Sequence, residues 1–290
     1  MNNYKVSTAL TCQNLIGESC FWDSKENCLT WTDIEGKTIW KLNQSNQSFK
    51  YNLPDRAGFI LPRKKDGYII GFPKFIAISN QEFSSFKKIC DVETNIRETR
   101  INDAKVDPYG GIVFGTYNED PDKLNRKPIA NLYRLAPDLS LTKLLSNITV
   151  SNGLAFSRKK NIMFFADTPT GLIQKFEYTE NFKKLTKLKS NMIFKDLGEP
   201  DGAAMDIDDN YWSARVRGKC LICIDTKRET VIKKINLPTK TPTCLAFGGP
   251  VLETLYVTSL KQQSIIENSD GNLFKVQSGT KGLKQLLCEI

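Results

Sequence analysis

The sequence predicts an all-β fold, a six-bladed β-propeller. Three observations carry this: a six-residue template that returns six times, apolar runs after each copy that alternate or are rich in β-branched and aromatic residues, and no long stretch of helical periodicity. The template joins a candidate inward residue to a turn-forming or capping residue five positions later. It reads Glu18-Ser-Cys-Phe-Trp-Asp23, Ala57-Gly-Phe-Ile-Leu-Pro62 and Asn102-Asp-Ala-Lys-Val-Asp107. It continues as Asn152-Gly-Leu-Ala-Phe-Ser157, Asp201-Gly-Ala-Ala-Met-Asp206 and Thr243-Cys-Leu-Ala-Phe-Gly248.

A second apolar run follows each copy: "CLTWTD" from Cys28, "YIIGF" from Tyr68, "IVFGT" from Ile112, "IMFFADT" from Ile162, "YWSA" from Tyr211 and "LYVTS" from Leu255. A third run comes next, as in "TIWKLN" from Thr38 and "CLICID" from Cys220, and a weaker fourth, as in "VIKKINLP" from Val231. Four short antiparallel strands repeated at this period make a propeller blade; a long β-sandwich or a β-helix is the alternative. The blades are expected at 16–54, 55–92, 99–148, 149–196, 198–238 and 240–277, within one domain over 1–290. Either "YKVSTAL" near the start or "GLKQLLCEI" at the end could complete the last sheet, and the sequence leaves this open.

The 290 residues suffice to bury a large core without disulfides, so the eight cysteines are read as reduced thiols. The start "MNNYKVSTAL" lacks a basic segment followed by a long apolar run, and no stretch is long and apolar enough to cross a membrane, so the expectation is a cytoplasmic protein without a membrane partner. The net charge of +9 comes from dispersed lysines and arginines, which read as solvated turns and edge strands rather than a nucleic-acid surface. The expected partner is a small-molecule substrate, and the expected assembly a monomer or weak homo-oligomer. The chain contains no histidine, which excludes a Ser-His-Asp triad, a Cys-His pair and any His-ligated zinc site.

In a propeller the inner strand of each blade lines the central channel, so one repeat position forms one ring. That position holds Glu18, Ala57, Asn102, Asn152, Asp201 and Thr243. Carboxylates gathered in a channel repel one another and lose hydration, and a divalent cation offsets both effects. Glu18, Asn152 and Asp201 offer two charges and an amide oxygen, hard donors suited to calcium, magnesium or manganese, with coordination positions left for water and substrate. The alternative is that these residues hydrogen-bond channel waters and strand ends.

The segments "GESCFWDSKENCLTWTDI" from Gly17, "RINDAKVDPYGGIVFGT" from Arg100, "SNGLAFS" from Ser151, "PDGAAMDIDDNYWSA" from Pro200 and "AFGGPVLETLYVTS" from Ala246 together resemble the gluconolactonase family, which includes regucalcin and the luciferin-regenerating enzymes. The resemblance spans essentially the whole chain. It implies a six-bladed propeller with one axial divalent metal, calcium first and manganese, magnesium, zinc or iron as alternatives. It places the metal ligands on Glu18, Asn152 and Asp201, and substrate contacts on Arg100, Asn102 and Asp120, with Glu119 beside the last. The implied activity is hydrolysis of sugar lactones; for that reaction the metal is expected to polarise the carbonyl and Asp201, with Gly202 leaving room beside it, to activate water. The same centre could serve a phosphotriesterase of the diisopropyl-fluorophosphatase kind, a non-catalytic calcium-binding regulator, or luciferin regeneration. Asp103 is read as orienting Arg100, binding a second metal or water, or accepting a strand-end hydrogen bond.

Ser19-Cys20 stands where the family usually has Gly-Pro, Ala104 where Gly is commoner, and Lys261–Asn268 is a short last loop. Cys220 and Cys223 fall on a strand, where that spacing points them to opposite faces, away from a redox or metal role. Trp22, Trp31, Trp40 and Trp212 read as blade packing. Lys123, Asn125 and Arg126 form a polar stretch, read as a solvated loop or a lid over the channel mouth.

Overall fold

The computed structural model describes residues 4–122, 125–261 and 269–290. It is all-β, with six four-stranded antiparallel sheets and only three-residue 3-10 turns as helix among the described residues. Five sheets are consecutive meanders. The sixth orders its strands as Val6–Leu10, Leu273–Gln277, Thr254–Ser259 and Pro242–Gly248, so the amino-terminal strand supplies the outer edge of the last blade. Val6 faces Val276, Ser7 faces Lys275 and Thr8 faces Phe274 across that closure. The choice between termini that the sequence leaves open is thus made by the amino terminus.

The carboxy-terminal segment does something else. It crosses one end of the propeller as a strap, touching blade after blade. Gly282 N–H donates to Leu252 O (2.8 Å), Leu283 N–H to Met205 O (3.4 Å), Cys288 N–H to Pro62 O (2.9 Å) and Glu289 N–H to Gly110 O (2.8 Å). Cys288 and Ile290 bury themselves with Phe59, Val106 and Phe114 of blades 2 and 3.

The inner strands are Gly17–Asp23, Phe59–Pro62, Thr99–Val106, Ser151–Phe156, Glu199–Met205 and Pro242–Gly248. Their near-continuous burial explains the apolar template: one side faces the channel and the other the adjoining blade. The core is a closed ring of six apolar clusters, each shared by two neighbouring blades. Phe21 and Ile39 meet Ile60 and Tyr68. Trp22 and Trp31 meet Cys244 and Leu273. Trp212 and Leu221 meet Leu245 and Phe274. The tryptophans pack as read: Trp31 stacks on Trp40 (5.9 Å) and Trp22 on Tyr256 (6.0 Å). Cys220 joins the cluster between blades 4 and 5 and Cys223 the one between blades 5 and 6, on opposite faces of their strand.

The capping residues of the template close the turn after the inner strand. Asp23 Oδ1 accepts from the N–H groups of Lys25 (2.8 Å) and Glu26 (3.2 Å). Asp107 Oδ1 accepts from Tyr109 (2.7 Å) and Gly111 (3.2 Å), and Asp206 Oδ1 from Asp208 (3.0 Å) and Asn210 (2.9 Å). Side chains that satisfy turn N–H groups fix these reversals locally.

Deleting residues 1–11 strips the closing strand and bares the edge of Leu273–Gln277. We expect the melting temperature to fall by on the order of 10 °C and the protein to associate through the exposed edge, as followed by calorimetry and light scattering. An unchanged melting temperature in a monodisperse sample would contradict this closure.

Candidate functional site

Five of the six inner strands carry a β-bulge at the template's first residues. The pairing register shifts between Glu18 and Phe21, Ile101 and Ala104, Asn152 and Ala155, Pro200 and Ala203, and Pro242 and Leu245. Blade 2 pairs regularly along Phe59–Pro62, and its ring residue is the apolar Ala57. A bulge re-aims side chains locally, so polar ring residues occur in the blades whose strand is bent there.

Hydrogen bonds from the next strand fix the approach to the bulge. Asp33 takes the N–H groups of Ile16 (2.9 Å) and Leu15 (3.1 Å), just before Glu18. Asp167 takes those of Val150 (2.8 Å) and Thr149 (3.1 Å), just before Asn152. In blade 5 the fully buried Arg215 donates to Phe194 O (3.0 Å) and to Gly198 O, ahead of Asp201. These positioning residues escape a reading of the inner strand alone, although "CLTWTD" and "IMFFADT" both end on or near them.

The Ser19 departure has a local cause. Ser19 adopts a left-handed φ of 50°, as does Gly153 at the matching place in blade 4 (67°). A non-glycine residue there costs about 1–2 kcal/mol. The serine hydroxyl offsets this by bonding blade 2 twice, accepting from Ile60 N–H (3.0 Å) and donating to Ile60 O (3.2 Å). Gly202, by contrast, is required by crowding: a Cβ there would lie 2.7 Å from Cys244 Cα.

The candidate residues fall into two connected groups at one end of the channel. In the first, Asn152 (6% exposed) accepts at Oδ1 from Asn102 Nδ2 (3.2 Å) and donates from Nδ2 to Thr168 Oγ1 (2.9 Å). Thr168 Oγ1 in turn donates to Pro200 O (2.9 Å), which ties Asn152 to the residue before Asp201. Asp201 is 7% exposed, and its Oδ1 is buried with no hydrogen-bond partner among the described residues. Burial raises its carboxyl well above the usual range, and Glu18 and Asp103 push it further. Burial also raises Glu18, with Cys244 and Asp103 adding to the shift, against one N–H bond from Ser19 (3.0 Å).

In the second group, Arg100 donates from Nη1 to Asn102 Oδ1 (2.7 Å) and Ile101 O (3.0 Å), and from Nε to Glu119 Oε1 (3.2 Å). Its guanidinium lies 4.7 Å from the centre of the Tyr117 ring, and Arg126 lies 4.8 Å from the same ring. Burial lowers the Arg100 pKa. Glu119 also receives a two-point contact from Arg56 (2.7 and 3.0 Å), a residue that sequence reasoning did not single out.

Of the two acidic candidates, Glu119 is the one joined to Arg100. Asp120 organises its own loop, accepting from Asp122 N–H (3.0 Å) while its carbonyl accepts from Arg126. Arg126 therefore lies beside the Arg100 group, and Asn125 bonds Asp122 (2.9 Å). Lys123 lies outside the described residues, as does most of Lys261–Asn268. Asp103 takes the strand-end role: its Oδ2 accepts from Leu154 N–H of the next blade (3.2 Å). Thr243 donates to Gly17 O and shares a hydrogen bond with Thr258 (3.0 Å), so it joins blade 6 to blade 1.

Below the acidic pair lie Cys20, Cys244 and Lys105, which the repeat alignment did not mark. The Cys244 thiol is raised well above its usual range by its contact with Cys20 and by burial. Burial opposes the Lys105 ammonium, but Cys244, Asp103, Cys20 and Glu18 outweigh it and raise its pKa.

The donor set suits a hard divalent cation. It combines the half-buried Glu18 carboxylate, the buried Asp201 carboxylate that it repels, one orphaned oxygen on the latter and an amide oxygen with a spare lone pair. Among the described residues no three acidic, histidine or cysteine side chains cluster as a metal site.

Residues 16–261 match the model of the SMP-30/gluconolactonase/LRE-like region. The chain belongs to this family. A Bacillus subtilis relative, whose name of sugar lactone lactonase is provisional, is 31% identical over 92% of this chain and 93% of its own. Regucalcin from Danio rerio is 28% identical over 98% of each chain. The solved structure of a luciferin-regenerating enzyme superposes with a TM-score of 0.92 at 26% identity, covering 99% of this chain and all of that one. The family and the propeller expected from the five sequence segments are therefore confirmed.

Because the folded Glu18 and Asp201 carboxyls hold protons more tightly than unfolded ones, the chelated protein should lose stability as pH rises from about 4 through their raised folded-state values. In chelator at pH 8, Asp201→Asn should raise the melting temperature, and the gain should disappear below about pH 4. A variant less stable than wild type at pH 8 would show that repulsion between the carboxylates is not the governing term.

Proposed function

We propose that this protein is a divalent-metal-dependent hydrolase of sugar lactones. The observation that carries this reading is the union of two unlike groups at one channel mouth: the strained acidic pair Glu18–Asp201 with Asn152, and the donor chain Arg100–Asn102 bonded directly to Asn152. A site for a cation alone has little use for an adjacent arginine. A lactone needs both, since it presents a carbonyl to be polarised and hydroxyls to be recognised.

Glu18, Asn152 and Asp201 would hold the cation, which supplies Lewis acidity to a carbonyl oxygen when bound. Calcium is the first expectation, from the oxygen donor set. Asp201 is the residue proposed to take the proton from the attacking water. Its Oδ1 is buried and has no hydrogen-bond partner among the described residues, so the carboxylate has an oxygen open to accept that proton. Arg100 Nη1 is spent on Asn102 and the backbone, which leaves Nη2 to meet a substrate hydroxyl or the carboxylate of the product. Glu119 and Arg56 hold the guanidinium in place from the rim. The lactonase relative supports the substrate class.

Gluconolactone hydrolysis should be abolished by complete chelation and restored by calcium or manganese. Asp201→Asn should lower kcat at least about 100-fold, and Arg100→Lys should act mainly on KM by removing the planar contact. Activity indifferent to chelation or to Asp201→Asn would sink the reading. Turnover of a phosphotriester with no lactone turnover would move the same centre to the other substrate class.

A further inference from the structure

The channel does not end at the acidic mouth. On its far side lies a cavity of about 80 Å³, floored by the strap residues Leu283–Leu286. Its walls are mixed: Trp22, Phe156, Met205 and Phe247 stand around Ala155, Ala203 and Ala246, with Cys20 and Gln285 among them. Its charges are of one sign. Lys105, Arg158 and Lys284 line it, and no carboxylate does.

Lys105 reaches it from the third inner strand, two residues beyond Asp103. Asp103 spends one oxygen on Leu154 N–H. Among the described residues the Lys105 ammonium meets no hydrogen-bond acceptor or ion-pair partner. Arg158 stands at the rim and donates to Lys284 O (2.8 Å), so it fastens the strap over the opening. Cys244, Asp103, Cys20 and Glu18 favour the Lys105 ammonium electrostatically, but none of them hydrogen-bonds it among the described residues, so its donors are open to a ligand. A ligand with an apolar body and one negative end suits both the walls and the ammonium. The volume is roughly that of three water molecules in the liquid, which suits a chain of about four carbons.

We propose that the lower channel is a second ligand site, distinct from the Glu18–Asn152–Asp201 mouth, for a short-chain monocarboxylate whose carboxylate meets Lys105 and whose alkyl chain lies among Trp22, Phe156 and Phe247. The strap is its gate. A polyhydroxylated acid such as gluconate is disfavoured, because few of its hydroxyls would find partners beside Trp22, Phe156 and Phe247.

The probe is 4,4,4-trifluorobutyrate, followed by fluorine NMR with the full-length protein, with calcium and in chelator. Saturable line broadening in both conditions is expected, reversed by butyrate but not by gluconate or butylammonium. Lys105→Met should weaken binding at least tenfold while leaving the far-ultraviolet circular dichroism unchanged. Broadening lost in chelator, or reversed equally by gluconate, would assign the binding to the metal mouth and overturn the proposal. So would no saturable broadening, or an unchanged affinity in Lys105→Met. If that variant does not fold, a crystal of the wild-type protein soaked in trifluorobutyrate decides: density between Lys105 and the strap supports the site, and density elsewhere or none refutes it. None of these readouts depends on lactone turnover.

Discussion

The structure depends on closing a ring of sheets. Each blade buries both faces against its neighbours, so no blade has a complete core of its own, and the six apolar clusters exist only when all six are in place. The strand Val6–Leu10 supplies the last sheet with an edge from the other end of the chain. That closure brings Glu18 beside blade 6 and, across the channel, near Asp201. A polar site at the axis is a consequence of the ring, and it is held by apolar contacts far from it.

Closing the ring also carries a cost, which is concentrated at the axis. Six inner strands converge there, and their polar residues lose water. The bulges relieve crowding and turn side chains inward, and the positioning residues Asp33, Asp167 and Arg215 hold the approach segments from behind. What is left uncompensated is a pair of carboxylates raised by burial and by their neighbours. Such local instability inside a rigid frame is the usual state of a site built for a ligand that the chain alone does not supply.

The channel divides along its length by chemistry. The mouth has negative groups, amides and a stacked arginine. The middle has two thiols and a lysine. The far end mixes apolar side chains with Arg158 and Lys284 and is covered by the strap. The template encodes this gradient, because its first residue lies at the mouth and its last closes a turn at the strap side. Substitutions along one short motif therefore act at different depths.

The repeat, the ring position and the capping aspartates were legible in the sequence, because each is a local pattern of side chains with a fixed strand period. Glu18, Asn102, Asn152 and Asp201 could be named for the same reason, and Arg100 through the family segments. Which terminus closes the ring was not legible, since "YKVSTAL" and "GLKQLLCEI" have similar strand character and only the geometry of the last blade separates them. Nor were Arg56 on Glu119, Asp103 on Leu154, or the convergence of Lys105 with Cys20 and Cys244, all contacts between residues distant in sequence. Asp120 and Glu119 are adjacent in sequence, yet one shapes a loop and the other faces Arg100. The sequence determined which residues line the channel, because strand alternation and the repeat suffice for that. Only the tertiary structure decided which of them meet, because bulges and blade packing set side-chain direction across the ring.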